Sequence, residues 1–529
     1  MDAASATGHP NQSQDHSEPK FGIRHPLVPV AFFVLLLGFG FQGSRNLWQP
    51  DEGYNAAVTC EMMDSGNVLI QRLDGLVYLG KPPMYIWCTV PGIWIFGRNE
   101  FGLRAFCGLC YVLTALIIGL LGASMWKQRE GVLAAIIYAT MLLPFGAANV
   151  ARPDTPLVLA TTATLYCFWR SVMPNATNIT IWKMLMCAVI GWGVEMKATA
   201  ALVPLAPMFA YLLLTRQAIS YFASIWSILG LLLFASIGLS WYVYTALVLP
   251  GAGAYLWDSL VVGRLVTDTY GRNPSFLSGL EIYVPTLVAG TIPWLPFWIP
   301  LALRLKPGKA GQSRFAGMRA NPPVMLLTLW IVLALSIYFL ASSKLILYVL
   351  PVFPAIALLA ARDFTEFMPE TFALDFPSRR VWISVGAWGV LLLGVRFGSA
   401  YLLHAKDEGA AWQAMREKIP ANCSRIVVVN EDLDGLSFYS GKKIVRVTTG
   451  LPSGDVVDYQ PPPTLEQGLE AQPPFAIVYL GSRMKKYQER MQTILRERNL
   501  EVTEFPLPFD RMLAICSEKN KLDIPNDPP

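Results

Sequence analysis

The run FGLRAFCGLCYVLTALIIGLLGASMW, residues 101–126, carries a single charge, Arg104, over a length sufficient to cross a hydrocarbon layer. No polar stripe divides it, as one would divide a helix on the surface of a soluble core. The same texture recurs along most of the chain. Of 529 residues, 53% are hydrophobic and 15% charged, and the mean hydropathy is +0.41. Ordinary globular chains carry roughly 25% charged residues, so the deficit points to repeated burial in lipid. Four histidines, His9, His16, His25 and His404, all fall outside the apolar runs, which leaves none for a His-based metal cage or a Ser-His-Asp triad inside the membrane part. The net charge of +5 is small for this length and gives no nucleic-acid footprint.

Working outward from residues 101–126, we count about eleven spans, allowing roughly twenty apolar residues for each crossing. They lie near 26–44, 101–126, 129–148, 153–172, 182–196, 198–214, 221–248, 279–303, 323–341, 344–361 and 381–403. Lys127, Arg129, Arg170, Lys183, Arg216, the Arg304–Arg319 group, Arg362, Arg379 and Arg380 fall on alternate loops. The positive-inside rule then puts those loops and the N-terminus in the cytoplasm, and an odd span count puts the tail after His404 outside. The expected division is a polar cytoplasmic tail over 1–25, a membrane domain over 26–404 with an external loop at 45–100, and an external domain over 405–529. The last is a small α/β domain, with strands at 425–430, 444–448, 475–480, 502–506 and 512–516 and an amphipathic helix over 484–498. It shows no catalytic motif, and the chain shows no internal repeat of the kind that builds transporters.

Six of the eight cysteines lie in or beside apolar segments. Cys107 and Cys110, within a span, read as packing residues, and only Cys423 and Cys516 stand where a disulfide is conceivable. The sequons at Asn175 and Asn178 fall on the cytoplasmic side and carry no meaning there.

Chemistry concentrates at external span ends. The first loop begins Trp48-Gln49-Pro50-Asp51-Glu52-Gly53-Tyr54, and Tyr54, Val58 and Met62 recur at helical spacing, predicting an amphipathic helix on the membrane surface. Asp51 suits either an N-cap or a catalytic carboxylate. Farther on come Gln71-Arg72-Leu73-Asp74-Gly75 and Gly80-Lys81-Pro82-Pro83. The prolines can open a helix from Met84, leaving Lys81 near the headgroups to meet a lipid phosphate or simply to snorkel. Arg152-Pro153-Asp154 brings a second carboxylate to the same face, where ionisable groups are costly and usually paired or functional. Lys344 and Tyr348, four apart, would share one helical face at another external end, as substrate contacts or as an interface anchor.

These landmarks, with Phe96-Gly97, Arg104, Lys197, Pro293-Trp294 and Tyr348-Val349-Leu350-Pro351, run in order over roughly the first 360 residues. In that order the chain resembles the bacterial aminoarabinose transferases and protein O-mannosyltransferases, the polyprenyl-phosphate-sugar-dependent glycosyltransferases of GT-C fold. The resemblance implies an α-helical polytopic enzyme of the bacterial inner membrane. It would move a sugar from a polyprenyl phosphate to lipid A, another glycan or a protein on the periplasmic face, among membrane lipids and with no nucleic acid. It implies Asp51 and Asp154 as the catalytic carboxylates and Lys81, with Arg72, Lys344 and Tyr348, at the donor phosphate. Glu52, Arg152, Lys197, Arg264 and Arg272 would be further substrate contacts. No cofactor is indicated, and although a divalent metal is compatible with the chemistry, no ligand set for one is apparent.

The chain departs from the aminoarabinose pattern at three places. Gly80 stands where glutamate is usual, the 264–274 loop lacks histidine, and the usual Lys-Gly pair is Lys197-Ala198. A flippase for lipid-linked sugars would place its charges along a path through mid-membrane, and a scaffold for the external domain would leave Asp51, Lys81 and Asp154 no reason to share a face.

Overall fold

In the computed structural model, residues 27–222, 225–263, 273–299, 321–367, 378–402, 404–447, 459–484 and 488–519 are described. Among the described residues, five helices are long and apolar enough to cross a membrane: Glu100–Met125, Ile179–Leu202 with its closing 3₁₀ turn, Pro322–Leu340, Ile346–Glu366 with its opening 3₁₀ turn, and Arg379–Tyr401. A sixth crossing is made if Ile228–Gly238 and Ser240–Val248, bent by 50°, act as one. The chain is thus a multi-pass helical membrane protein. Several of the eleven expected runs are shorter or broken: among the described residues of 26–44 the helix covers Leu27–Phe39, and 129–148 divides at Met141 into Gln128–Thr140 and Leu142–Ala147. Met141 is extended at that break (φ −69°, ψ 138°), a change of backbone state that hydropathy does not report.

Small residues let the helices approach. Glu100–Met125 and Gln128–Thr140 meet at Gly122 and Gly131, where a methyl group on Gly131 would collide with the Gly119 carbonyl. In lipid, such close backbone approach stands in for the missing hydrophobic drive between helices. Outward faces stay apolar: Phe32, Leu36, Leu231, Leu247, Val390 and Val395 are exposed, as side chains facing acyl chains must be.

The tail folds as a five-stranded mixed sheet in the order β4-β3-β5-β7-β6, after a two-stranded hairpin of β1 (Arg72–Leu73) and β2 (Leu76–Val77) in the first loop. Its strands are β3 (Arg425–Val429), β4 (Lys443–Val447), β5 (Phe475–Leu480), β6 (Leu500–Leu507) and β7 (Arg511–Glu518). β3 runs parallel to β4 and β5, while β7 pairs antiparallel with β5 and β6. Alternation along β3 puts Val427 and Val429 against Met491 and Leu495 on one face, and Ile426 and Val428 against Met415 on the other. All five predicted strands are present. The predicted helix over 484–498 is observed as Gly481–Met484 and Gln488–Glu497, with 485–487 outside the described residues. Cys423 and Cys516 are free thiols packed on opposite faces of this sheet, so the conceivable disulfide is not made.

Candidate active site

Two helices start with the same dipeptide. Pro50-Asp51 opens Asp51–Ser65 and Pro153-Asp154 opens Asp154–Val172, each proline holding the N-cap position with no side-chain cap bond. The aspartates therefore occupy the first turn, where a carboxylate is favoured by the helix dipole. The two starts are tied together: Asn55 Nδ2 donates to the Ala151 carbonyl at 2.8 Å, and the Ala151 N–H donates to Glu52 Oε1 at 2.9 Å.

Arg152 bridges the carboxylates. Its Nη1 is 2.9 Å from Asp51 Oδ2 and its Nε 3.2 Å from Asp154 Oδ2, the second contact off hydrogen-bond alignment. Lys197 Nζ lies 2.5 Å from Asp154 Oδ1 and 4.9 Å from the Tyr348 ring centre. On the other side of Asp51, the Tyr54 hydroxyl is 3.5 Å from Asp51 Oδ1, and Lys81 Nζ sits 4.4 Å over the Tyr54 ring. Lys81 lines a small cleft with Asn55, Gln71, Tyr78 and Tyr85, and Gln71 Nε2 fixes the Lys81 carbonyl at 2.7 Å. Opposite charges thus alternate along Asp51, Arg152, Asp154 and Lys197, with Lys81 beside them. The Asp154 side chain is 3% exposed and that of Asp51 29%, so a second reactant can reach Asp51 and not Asp154.

Glu52 lies beneath this layer, almost wholly buried. Arg104 approaches it at 2.7 Å and Arg45 at 2.8 Å, and the Trp48 N–H donates to Oε2 at 3.1 Å. Burial by itself would raise the Glu52 carboxyl; the two guanidiniums outweigh it and hold the group down to about 2. With both oxygens engaged by these groups, Glu52 fastens the Asp51 turn to the membrane helices. The expected role of substrate contact does not fit that burial.

The remaining expected residues scatter. Arg72 Nη1 donates to the Gly75 carbonyl across the turn of the β1–β2 hairpin. Lys344 is buried and donates to the carbonyls of Pro274 and Ala341 at 3.0 and 2.6 Å. It does not share a helical face with Tyr348, because the backbone is extended at Leu345 (φ −134°, ψ 154°) before the 3₁₀ turn Ile346–Val352 begins. Arg264 and Arg272 lie outside the described residues. Tyr54, Asn55, Gln71 and Tyr78 were not singled out as site residues from sequence. The signal for the first two was present: they stand three and four residues after Asp51, on its side of a helix.

The Asp51–Ser65 helix itself is not a half-exposed surface helix. Residues on every side of it, including Glu52, Asn55, Ala57, Val58, Thr59 and Cys60, are buried.

The chain is similar to known proteins in sequence and in fold. Residues 80–244 match the family described as dolichyl-phosphate-mannose-protein mannosyltransferase. The chain is 31% identical, over 64% of its length, to an undecaprenyl phosphate-alpha-4-amino-4-deoxy-L-arabinose arabinosyl transferase of Proteus mirabilis, but spans only 58% of that relative. A Sodalis glossinidius protein of the same name is 29% identical, with 72% of each chain covered. Among solved structures, ArnT from Cupriavidus metallidurans bound to undecaprenyl phosphate superposes with a TM-score of 0.73 at 18% identity, covering 92% of this chain and 98% of that one. Family match, relatives and superposition agree with the resemblance seen in the ordered landmarks: the chain is similar to the aminoarabinose transferases and shares the fold of the Cupriavidus metallidurans ArnT.

Proposed function

We propose that the protein transfers a sugar from an undecaprenyl phosphate carrier to an acceptor such as lipid A, on the periplasmic face of the bacterial inner membrane. The observation that carries this reading is the charge-alternating row Asp51–Arg152–Asp154–Lys197 with Lys81 beside it, at the heads of two helices. In the reaction the bond from the sugar's anomeric carbon to the phosphate oxygen breaks as an acceptor oxygen attacks from the opposite side. The acceptor's proton passes to the Asp51 carboxylate, the more exposed of the two. Negative charge growing on the departing lipid phosphate meets Lys81 first; a fixed cation there favours the transition state over the ground state. Asp154 holds Lys197 and Arg152 in place. Arg72 and Lys344 reach the phosphate only by exchanging their present carbonyl partners, and the Tyr348 ring borders Lys197. Direct displacement inverts the anomeric centre.

This chemistry requires the 45–100 loop and the tail from about 405 to lie outside, with the N-terminus in the cytoplasm. That topology uses about eleven crossings, the shorter helices among them tilted or broken. The gathering of charges at one set of helix ends supports a transferase over a flippase, which would carry them at mid-membrane.

Mass spectrometry of envelope glycolipids and glycoproteins, from cells with and without the gene, tests the proposal. A sugar missing from lipid A or another glycan is the expected result. No missing sugar, with a polyprenyl-linked sugar accumulating in the inner leaflet, would replace the transferase by a flippase.

A further inference from the structure

The C-terminal domain grips the stretch of chain that carries Asp51. Gln49 N–H donates to the Lys406 carbonyl at 2.8 Å, Glu408 N–H donates to the Leu47 carbonyl at 3.0 Å, and Trp48 and Asp407 form an antiparallel bridge. The Tyr439 hydroxyl accepts from the Leu47 N–H at 2.8 Å and donates to Glu100 at 2.9 Å. Beside these contacts, Glu408 opens the helix Glu408–Met415 with 0% of its surface exposed. Its carboxyl lies between Gly53, in the first turn of the Asp51–Ser65 helix, and Gly435, on the loop after β3. A methyl group on either glycine would collide with a Glu408 oxygen, and one on Gly435 would also come within 3.0 Å of the Gly53 Cα. Among the described residues neither carboxyl oxygen has a well-formed hydrogen-bond partner, and both oxygens are out of water. Burial, with Asp434 and Glu52 nearby, pushes this group well above the usual carboxylate range against the opposing Gly435 N–H and Arg511, and a neutral carboxyl can pack against glycine backbone where an ionised one would be stranded.

We propose that Glu408 is a positioning residue for Asp51: its carboxyl is the peg by which the C-terminal domain fixes the first turn of the Asp51–Ser65 helix and, through it, the Asp51–Arg152 pair. The role of Asp51 rests on the transfer reaction proposed above; the peg itself is a statement about packing. Because the glycines exist to admit the carboxyl, removing the carboxyl should make room for a side chain at Gly53.

The test is a double-mutant cycle on the full chain in lipid nanodiscs, using an undecaprenyl-phosphate-linked sugar as donor. Hydrogen exchange of amides 51–57 is followed on the same samples. Glu408→Ala and Gly53→Ala should each lower kcat by about tenfold or more with the donor KM nearly unchanged, as misplacement of a reacting group does. The double variant should recover most of the loss, and Glu408→Gln, neutral and of the same shape, should stay near wild type. Amide protection over 51–57 should fall in Glu408→Ala and be kept in Glu408→Gln. Losses that simply multiply in the double variant, or unchanged protection in Glu408→Ala, would overturn the peg. If the wild-type protein transfers nothing from any polyprenyl-linked donor, the functional reading falls, while the exchange measurements still decide the packing claim.

Discussion

Asp51 and Asp154 follow the same local rule, proline then aspartate at a helix start, yet their surroundings divide the work. Asp51 is open on one side, whereas Asp154 is enclosed with Lys197 at 2.5 Å. Asp51→Asn should therefore reduce transfer by about a thousandfold, within the range for loss of a general base, with membrane abundance unchanged by immunoblot. Asp154→Asn should instead strand a buried ammonium, lower stability by about 3 kcal/mol and deplete the protein from membranes; abundance equal to wild type would refute that division. Ala198 offers a separate test. It holds φ 48°, ψ −133°, a region that L-residues enter at a cost of about 1–3 kcal/mol. Ala198→Gly should relieve that strain and raise the thermal midpoint in detergent.

At the scale of the element, the Asp51–Ser65 helix shows how far a periodic pattern can be trusted. Tyr54, Val58 and Met62 correctly announced a helix, and Pro50-Asp51 its start, because both signals need only near neighbours in the chain. Its burial was not legible. The residues between that stripe are covered by the Ala151 loop and the C-terminal domain, elements far away in sequence. Glu52 gives this element its pH behaviour. Its folded value of about 2 lies below the ordinary 4.5, so the unfolded chain binds more protons in between. The stability it contributes is fully present above about pH 5 and is lost as pH falls through about 2. The difference in thermal midpoint between wild type and Glu52→Gln should accordingly be level from about pH 5 to 8 and shrink below that. A difference that grows on acidification would contradict the Arg45–Glu52–Arg104 network.

Over the whole molecule, the ionisation of Glu408 acts in the opposite sense. Its folded value is raised by burial and by Asp434 and Glu52, against the Gly435 N–H and Arg511. Its favourable contribution is complete below the ordinary carboxylate range and is lost as pH rises through the folded value. Docking of the C-terminal domain should loosen on that alkaline side, seen as earlier proteolysis near 404–408, and Glu408→Gln should remove the dependence. The apolar runs of the sequence determined a membrane protein by themselves, since crossing lipid leaves few polar residues free. Short β-branched and apolar runs likewise determined the strands of the tail, and the proline–aspartate pairs determined two helix starts. Only the tertiary structure decided that Arg152 joins those starts, that Lys344 turns away from them, that Glu52 is a buried tie and that Cys423 and Cys516 lie on opposite faces of a sheet. The reason is physical: a hydrophobic period records which side of an element is buried, whereas a buried ion pair or a carboxyl between two glycines depends on which distant segment arrives there.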